Sequence, residues 1–219
     1  MSFNIINNLL SIQQNIKDHS QDSSPEIIAV SKTFTIEHIK PLIDHGHVHF
    51  GENKLQEALS KWSEFKKKNE NIKLHMIGKL QSNKAKKAIR LFDYIHSLDN
   101  VKLADILNTE ERKTSIKLKY FIQVNLGSEK QKSGVLVEEI DEFYNYCKES
   151  TKLDIIGLMS IPPEDEDPEK YFKILYEIGV KLKLKELSMG MSSDYVKALK
   201  YNSTFLRIGS SIFGSRTIK

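Results

Sequence analysis

The sequence predicts an α/β protein, a (β/α)8 TIM barrel preceded by one extra helix and forming a single domain. Short β-rich runs alternate with longer helical patterns about eight times between residues 26 and 214, and strands separated by helices are how a parallel sheet is connected. The runs are also apolar along most of their length, as strands covered on both faces must be. A doubly wound open sheet is the alternative. Such a sheet usually has fewer strands and often a glycine-rich turn after its first, whereas here the first run ends in Lys32.

The elements follow in order. Ile5, Ile6, Leu9, Leu10, Ile12 and Ile16 recur at mostly helical spacing, so residues 4–18 predict an amphipathic helix. HSQDSSP ends it, which makes residues 1–25 helix and linker within one domain spanning 1–219. EIIAVSK is the first strand, and TIEHIKPLIDHG a helix stopped by Gly46. HVHFGEN is the second strand, with a helix over 54–68; KLHMIG is the third, with SNKAKKAIRLF its helix and Ser82 a candidate cap. DYIHSLD and NVKLADILNTEERKT, KLKYFIQVNL and VLVEEIDEFYNYCKES, and LDIIGLMSI and residues 167–184 repeat the pattern. KELSMG, the short helix SSDYVKALKYN and a last strand TFLRIGSSIFG complete it.

A chain of 219 residues, 39% hydrophobic and 28% charged, is long enough for one substantial core and carries no disorder signature. No apolar run approaches the roughly 18–20 residues of a membrane span, and the start lacks the features of a secretory signal, so the expectation is a cytoplasmic protein without a membrane partner. The single cysteine, Cys147, has no partner for an internal disulfide and is expected to be a half-buried structural thiol. A net charge of +4 comes from scattered lysines such as Lys66, Lys67, Lys68, Lys84, Lys86 and Lys87. Without interleaved aromatics or a reading motif, such clusters are solvated helix faces, so no nucleic-acid partner is expected.

In a barrel, active groups stand just past the C-terminal ends of the strands. Lys32 follows the first, where it is either an ordinary solvated side chain or a desolvated amine able to attack a carbonyl and hold it as a Schiff base. Gly51, Glu52 and Asn53 follow the second, and Gly78, in GKLQSNK, permits close backbone approach after the third. Asn125, Met159 and Ser160 end the fifth and sixth. SMGMSSD and IGSSIFG bring Gly190, Ser192, Gly209, Ser210 and Ser211 to the loops after strands seven and eight, where phosphate sites of these barrels recur. Arg207 lies within the last strand, and a cation there needs an acceptor: a surface salt bridge, or a ligand's ring nitrogen or phosphate.

An amine for a Schiff base, a phosphate cradle and a nearby arginine together suggest pyridoxal 5'-phosphate (PLP). AVSKT, FGENKLQE, HMIGKLQSNK, IIGLMSIPP, LSMGMSSDY and RIGSSIFGSR, in order across nearly the whole chain, resemble the pyridoxal phosphate homeostasis protein family, a relative of the barrel half of alanine racemase. The resemblance implies Lys32 as the Schiff-base lysine and Asn53 as a cofactor-side residue. It implies Met191, Ser192, Gly209 and Ser210 as the phosphate cradle, and Arg207 as partner of the pyridine nitrogen. Family members commonly carry threonine at the position of Ser210, and a bulkier or aromatic residue at that of Lys54.

A cation opposite the pyridine nitrogen disfavours its protonation and weakens the ring as an electron sink. In the alanine racemase relatives that the resemblance points to, a tyrosine from a second domain completes the acid/base pair, and with SRTIK following soon after the eighth strand no such domain is expected here. The expectation is therefore a monomeric carrier that buffers PLP and hands it to PLP-dependent apoenzymes, with no catalytic residues. The alternatives are a PLP-dependent racemase or lyase and, from His47, His49, His75 and His96, a metal-dependent barrel hydrolase. The His-x-His pair lies at the entering end of its strand, which favours packed, hydrogen-bonded histidines and no metal.

Overall fold

The computed structural model describes residues 2–20, 24–127 and 133–214. The end of the RIGSSIFGSR motif and the terminal SRTIK lie outside the described residues. Eight parallel strands form the barrel: β1 (Glu26–Val30), β2 (His49–Glu52), β3 (Lys73–Met76), β4 (Tyr94–Leu98), β5 (Lys119–Asn125), β7 (Asp154–Met159), β8 (Glu186–Met191) and β9 (Phe205–Ile208). A two-residue strand, β6 (Val135–Leu136), pairs with the end of β5 outside the ring, at the start of the segment read as wholly helical. The strand order runs β4-β3-β2-β1-β9-β8-β7-β5, and pairing of β4 with β5 closes it. β1 lies between β2 and β9, with Ala29 opposite Phe50 and Ile28 opposite Arg207, so the two ends of the chain meet in register.

The helices around the strands are α1 (Ser2–His19), α2 (Ile36–Asp44), α3 (Leu55–Lys68), α4 (Ala85–Ala88), α5 (Val101–Thr114), α6 (Ile140–Ser150), α7 (Pro168–Leu182), α8 (Tyr195–Leu199) and α9 (Ser210–Phe213). Local chemistry sets several ends. The Asn100 side chain accepts from Leu103 N at 2.9 Å and starts α5. Asp167 accepts from Glu169 N ahead of α7, whose first residue is Pro168, where a missing N–H costs nothing. α1 buries Ile5, Leu9, Ile12 and Ile16 along one stripe and lies against α2, α8 and α9. With α9 only one turn long, α1 supplies much of the apolar surface beside it.

Three expectations are corrected. The segment 82–92 is a 3-10 turn followed by the single turn α4, and Ser82 caps nothing through its side chain. Ala85, Ala88, Ile89, Leu91 and Phe92 must all be buried within eight residues before β4 begins, and a compact turn does this where a straight helix would not. TFLRIGSSIFG is also not one strand. Its ladder with β1 stops at Ala29 opposite Ile208, and the chain turns at Gly209 into α9, where Asn8 Nδ2 donates to Ile212 O at 2.9 Å. Cys147 is fully buried rather than half-buried, and burial pushes its thiol up to about 12. Among the described residues no helix is long and apolar enough to cross a membrane.

Outside the strand ring, apolar residues from strands and helices form one continuous core, including Trp62, Phe50, Phe172 and Leu175. The lumen is different. Ile28, Phe121, Met159 and Phe205 form their own cluster, and around Phe205 pack the rings of His49, His75, Tyr94, His96 and Phe121. An aromatic and imidazole filling thus takes the place of the branched aliphatic layers common in such barrels.

Where β7 meets β8, a Cβ added at Gly157 would lie 1.9 Å from Glu186 O. Gly157→Ala forces two paired strands apart and is expected to destabilise the protein by about 2–3 kcal/mol in urea unfolding. An unchanged midpoint would show that the strands are not so closely apposed.

Candidate cofactor site at the barrel mouth

All seven residues singled out from the sequence, Lys32, Asn53, Met191, Ser192, Arg207, Gly209 and Ser210, line one cavity of about 650 Å³ at the C-terminal ends of the strands. Residues from β1, β2, β8 and β9 thereby reach a common volume. That volume falls within the range of cofactor sites.

Lys32 stands two residues past β1 and is half-buried. Its backbone is set by neighbours the sequence reading had not connected. Glu52 is fully buried, and its Oε1 accepts from Ser31 Oγ at 2.7 Å, Lys61 Nζ at 2.7 Å and Trp62 Nε1 at 3.0 Å. Lys61 Nζ also donates to Ser31 O at 2.7 Å, so the residue directly before Lys32 is held at both its side chain and its carbonyl. On the other side, Thr33 has φ +71, a left-handed conformation that costs a non-glycine residue roughly 1–2 kcal/mol. The chain leaves β1 through a pinned residue and a strained one, and Lys32 lies between them.

Asn53 is on the cavity wall, and its Oδ1 is buried with no hydrogen-bond partner among the described residues. The loop after β3 lies directly on Asn53, because a Cβ at Gly78 would meet Asn53 O at 2.2 Å. Phe34, also on the wall, stacks on His38 and packs against Phe213 at ring-centroid distances of 4.7 and 4.8 Å. Lys54 is exposed and pairs with Glu57 at 3.1 Å, away from the cavity lining.

Beside the end of β1, the N–H groups of Gly209 and Ser211 both donate to Ser192 Oγ at 3.2 Å. Two backbone donors converging on one oxygen form the kind of niche that holds a phosphate oxygen. Ser210 is exposed at the rim. Met191 N donates to Asp194 Oδ1 at 2.6 Å, so this residue contributes its side chain to the lining while its N–H is engaged elsewhere.

Arg207 is 4% exposed, and burial lowers its guanidinium to about 10, which leaves it a cation at neutral pH. Nη1 donates to Ser188 O at 2.5 Å and Ser188 Oγ at 2.8 Å, and Nη2 donates to Ser160 O at 2.8 Å. Three of its five N–H groups therefore have partners within the described protein, and the side chain also lines the cavity. Neither acceptor was connected to Arg207 in the sequence: Ser160 stood out only as the end of the sixth strand, and Ser188 not at all. Ser188 lies inside the SMGMSSD motif, whose glycine and hydroxyls drew attention to the loop rather than to the strand.

Beneath Arg207 a hydrogen-bonded column runs down the lumen. Ser188 Oγ contacts His96 Nδ1, His96 Nε2 contacts His75 Nδ1, and His75 Nε2 contacts His49 Nδ1, each at 2.9 Å. His49 Nε2 stands 3.5 Å from the Glu26 carboxylate at the barrel floor. Ring nitrogens of neighbouring histidines thus face each other, and among the described residues no group of three or more His, Cys, Asp and Glu side chains is arranged to hold a metal. His75 and His96 are held neutral well below the ordinary imidazole range, first by burial, then by neighbouring imidazoles for His75 and by Arg207 for His96. Burial likewise lowers His47 to about 4.

Residues 7–217 match the family model for the alanine racemase N-terminal domain. The chain is thus a barrel of the class that begins alanine racemase; the racemase of Clostridium difficile 630, only 15% identical, shares the fold with a TM-score of 0.72 over 98% of this chain and 60% of that one. The pyridoxal phosphate homeostasis protein of Haemophilus influenzae is 36% identical over 228 aligned residues, 97% of this chain and 96% of that protein. This chain belongs to the pyridoxal phosphate homeostasis protein family. PipY of Synechococcus elongatus PCC7942, in a structure with PLP bound, is 32% identical with a TM-score of 0.84 over 96% of this chain and all of that one.

Two outcomes follow from this geometry. Histidines neutral in the fold and protonatable when unfolded make the unfolded state bind more protons below about pH 6.5, so stability falls as pH drops, by up to about 1.4 kcal/mol per unit for each histidine. Urea unfolding between pH 7 and pH 5 should show this slope, reduced in His75→Phe. Lys61→Met strands the Glu52 carboxylate and is expected to cost about 3–5 kcal/mol by the same measurement; a loss under 1 kcal/mol would mean the pair contributes little.

Proposed function

We propose that this chain binds PLP in the mouth cavity on Lys32 and acts in its intracellular homeostasis and carriage, as a single cytoplasmic barrel domain and a monomer. The observation that carries this reading is the convergence on one cavity of an amine, a two-amide niche for an oxyanion and a buried cation. When bound, PLP supplies an aldehyde that condenses with an amine and a ring that draws electrons. Lys32 Nζ would be the amine. The N–H groups of Gly209 and Ser211, with the hydroxyls of Ser192 and Ser210, would be the donors for the phosphate. Asn53, Met191 and Arg207 would hold the ring, with Arg207 as the partner of its nitrogen.

These groups favour holding over turnover. Arg207 has no proton to give at neutral pH and, as a cation, opposes protonation of a nitrogen beside it. Its three protein acceptors keep it in place without help from a ligand. PLP-dependent apoenzymes are the acceptors of the stored cofactor.

Purified protein mixed with PLP should develop a near-visible absorption band and, after borohydride reduction, carry the cofactor mass on the peptide containing Lys32. Lys32→Ala should lose both, and an adduct that persists on that peptide region would overturn the assignment. Ser192→Ala removes one charge-assisted hydrogen bond and is expected to weaken PLP binding about 10-fold. Exchange of the α-proton of free amino acids no faster than with free PLP is the expected result for a carrier; faster exchange would make the protein an enzyme.

A further inference from the structure

The column of histidines plays no part in holding an amine or a phosphate, yet it ends on Arg207. One direction satisfies every member of it. Arginine only donates, so Ser188 Oγ accepts from Nη1 and has its own proton available for His96 Nδ1. That leaves His96 protonated on Nε2, which donates to His75 Nδ1, and His75 protonated on Nε2, which donates to His49 Nδ1. His49 Nε2–H then faces the Glu26 carboxylate, which only accepts. Every imidazole donates once and accepts once, and none needs a charge.

We propose that Ser188 and His96 are positioning residues for the cofactor, acting through Arg207: the one-directional column from Glu26 to Ser188 fixes the guanidinium so that its unused N–H groups face the ring nitrogen. This rests on the PLP reading above. Stacking restrains the column sideways, His75 on Tyr94 and His96 on Phe121, both at 4.2 Å between ring centroids. Burial keeps both histidines uncharged, so the column does not set a second cation beneath Arg207. The charged groups around its lower end, Glu26 from β1, Lys73 from β3 and Asp93 ahead of β4, act on His49 rather than on His96.

The test has an arm that needs no cofactor. Nitrogen-15 NMR of the imidazoles in the unloaded protein should show His75 and His96 neutral at pH 7 with the proton on Nε2, and Ser188→Ala should change the His96 pattern first. A proton on Nδ1 of His96, or a charged ring, would overturn the column. In the loaded protein, His96→Phe, similar in size but without ring nitrogens, should raise the PLP dissociation rate about 10-fold and move the near-visible band, while His96→Gln, which keeps a donor and an acceptor, should stay within about threefold of the parent. A folded His96→Phe protein with parental dissociation rate and band would reduce the histidines to packing and sink the proposal. Should His96→Phe fail to fold, Ser188→Ala carries the same comparison. If the parent protein itself takes up no PLP, the cofactor reading fails, while the tautomer measurement still decides the column.

Discussion

A charge placed inside a closed barrel must be answered by acceptors on other strands, because water cannot reach it. Arg207 imposes this condition here. Its acceptors come from β8 and from the end of β7, and the hydroxyl it uses on Ser188 must send its own proton onward. An aliphatic lumen would have left that proton with nowhere to go. Three imidazoles in line carry the hydrogen bonding down to a carboxylate near solvent. The aromatic filling of the barrel follows from that need, since flat rings stack against imidazoles where branched side chains would leave gaps.

The loop after β1 is built on another principle. Lys32 is placed by its neighbours in sequence: Ser31 is tied to the buried Glu52 and Lys61, and Thr33 is held in an unfavourable backbone state. On two paired strands, the guanidinium is held because its charge is satisfied, and the lysine loop because its turn is over-determined.

Much of this could be read from the sequence, for identifiable reasons. The alternation of apolar runs and helical patterns is dictated by a sheet covered on both faces, so the strand count and the placing of the site residues at strand ends carried through to the structure. The residues past Ile208 did not. Ile212 and Phe213 look like strand residues, and only the end of the ladder with β1 shows that they turn into a helix against α1. Glu52 was noticed as part of a polar cluster, but its tie to Lys61 joins the end of a strand to the middle of the next helix, which no local pattern reports. The histidines were read as packed rather than metal-binding; that they form a line ending on Arg207 depends on register across β2, β3, β4 and β8, which lies beyond what spacing within one strand can reveal.

The pairing of β1 with β9 also bears on how the protein comes into being. Ile28 meets Arg207 across almost the whole length of the chain, so the loop that carries Lys32 and the groups that face it are joined by contacts of the highest sequence separation available. A chain still being synthesised contains Lys32 long before it contains Gly209, Ser211 or Arg207. The cavity exists only once the final strand has paired with the first, so a shortened chain would lack it however well its remaining strands paired. Ligand that recognises only this closed state adds its binding free energy to the closure itself.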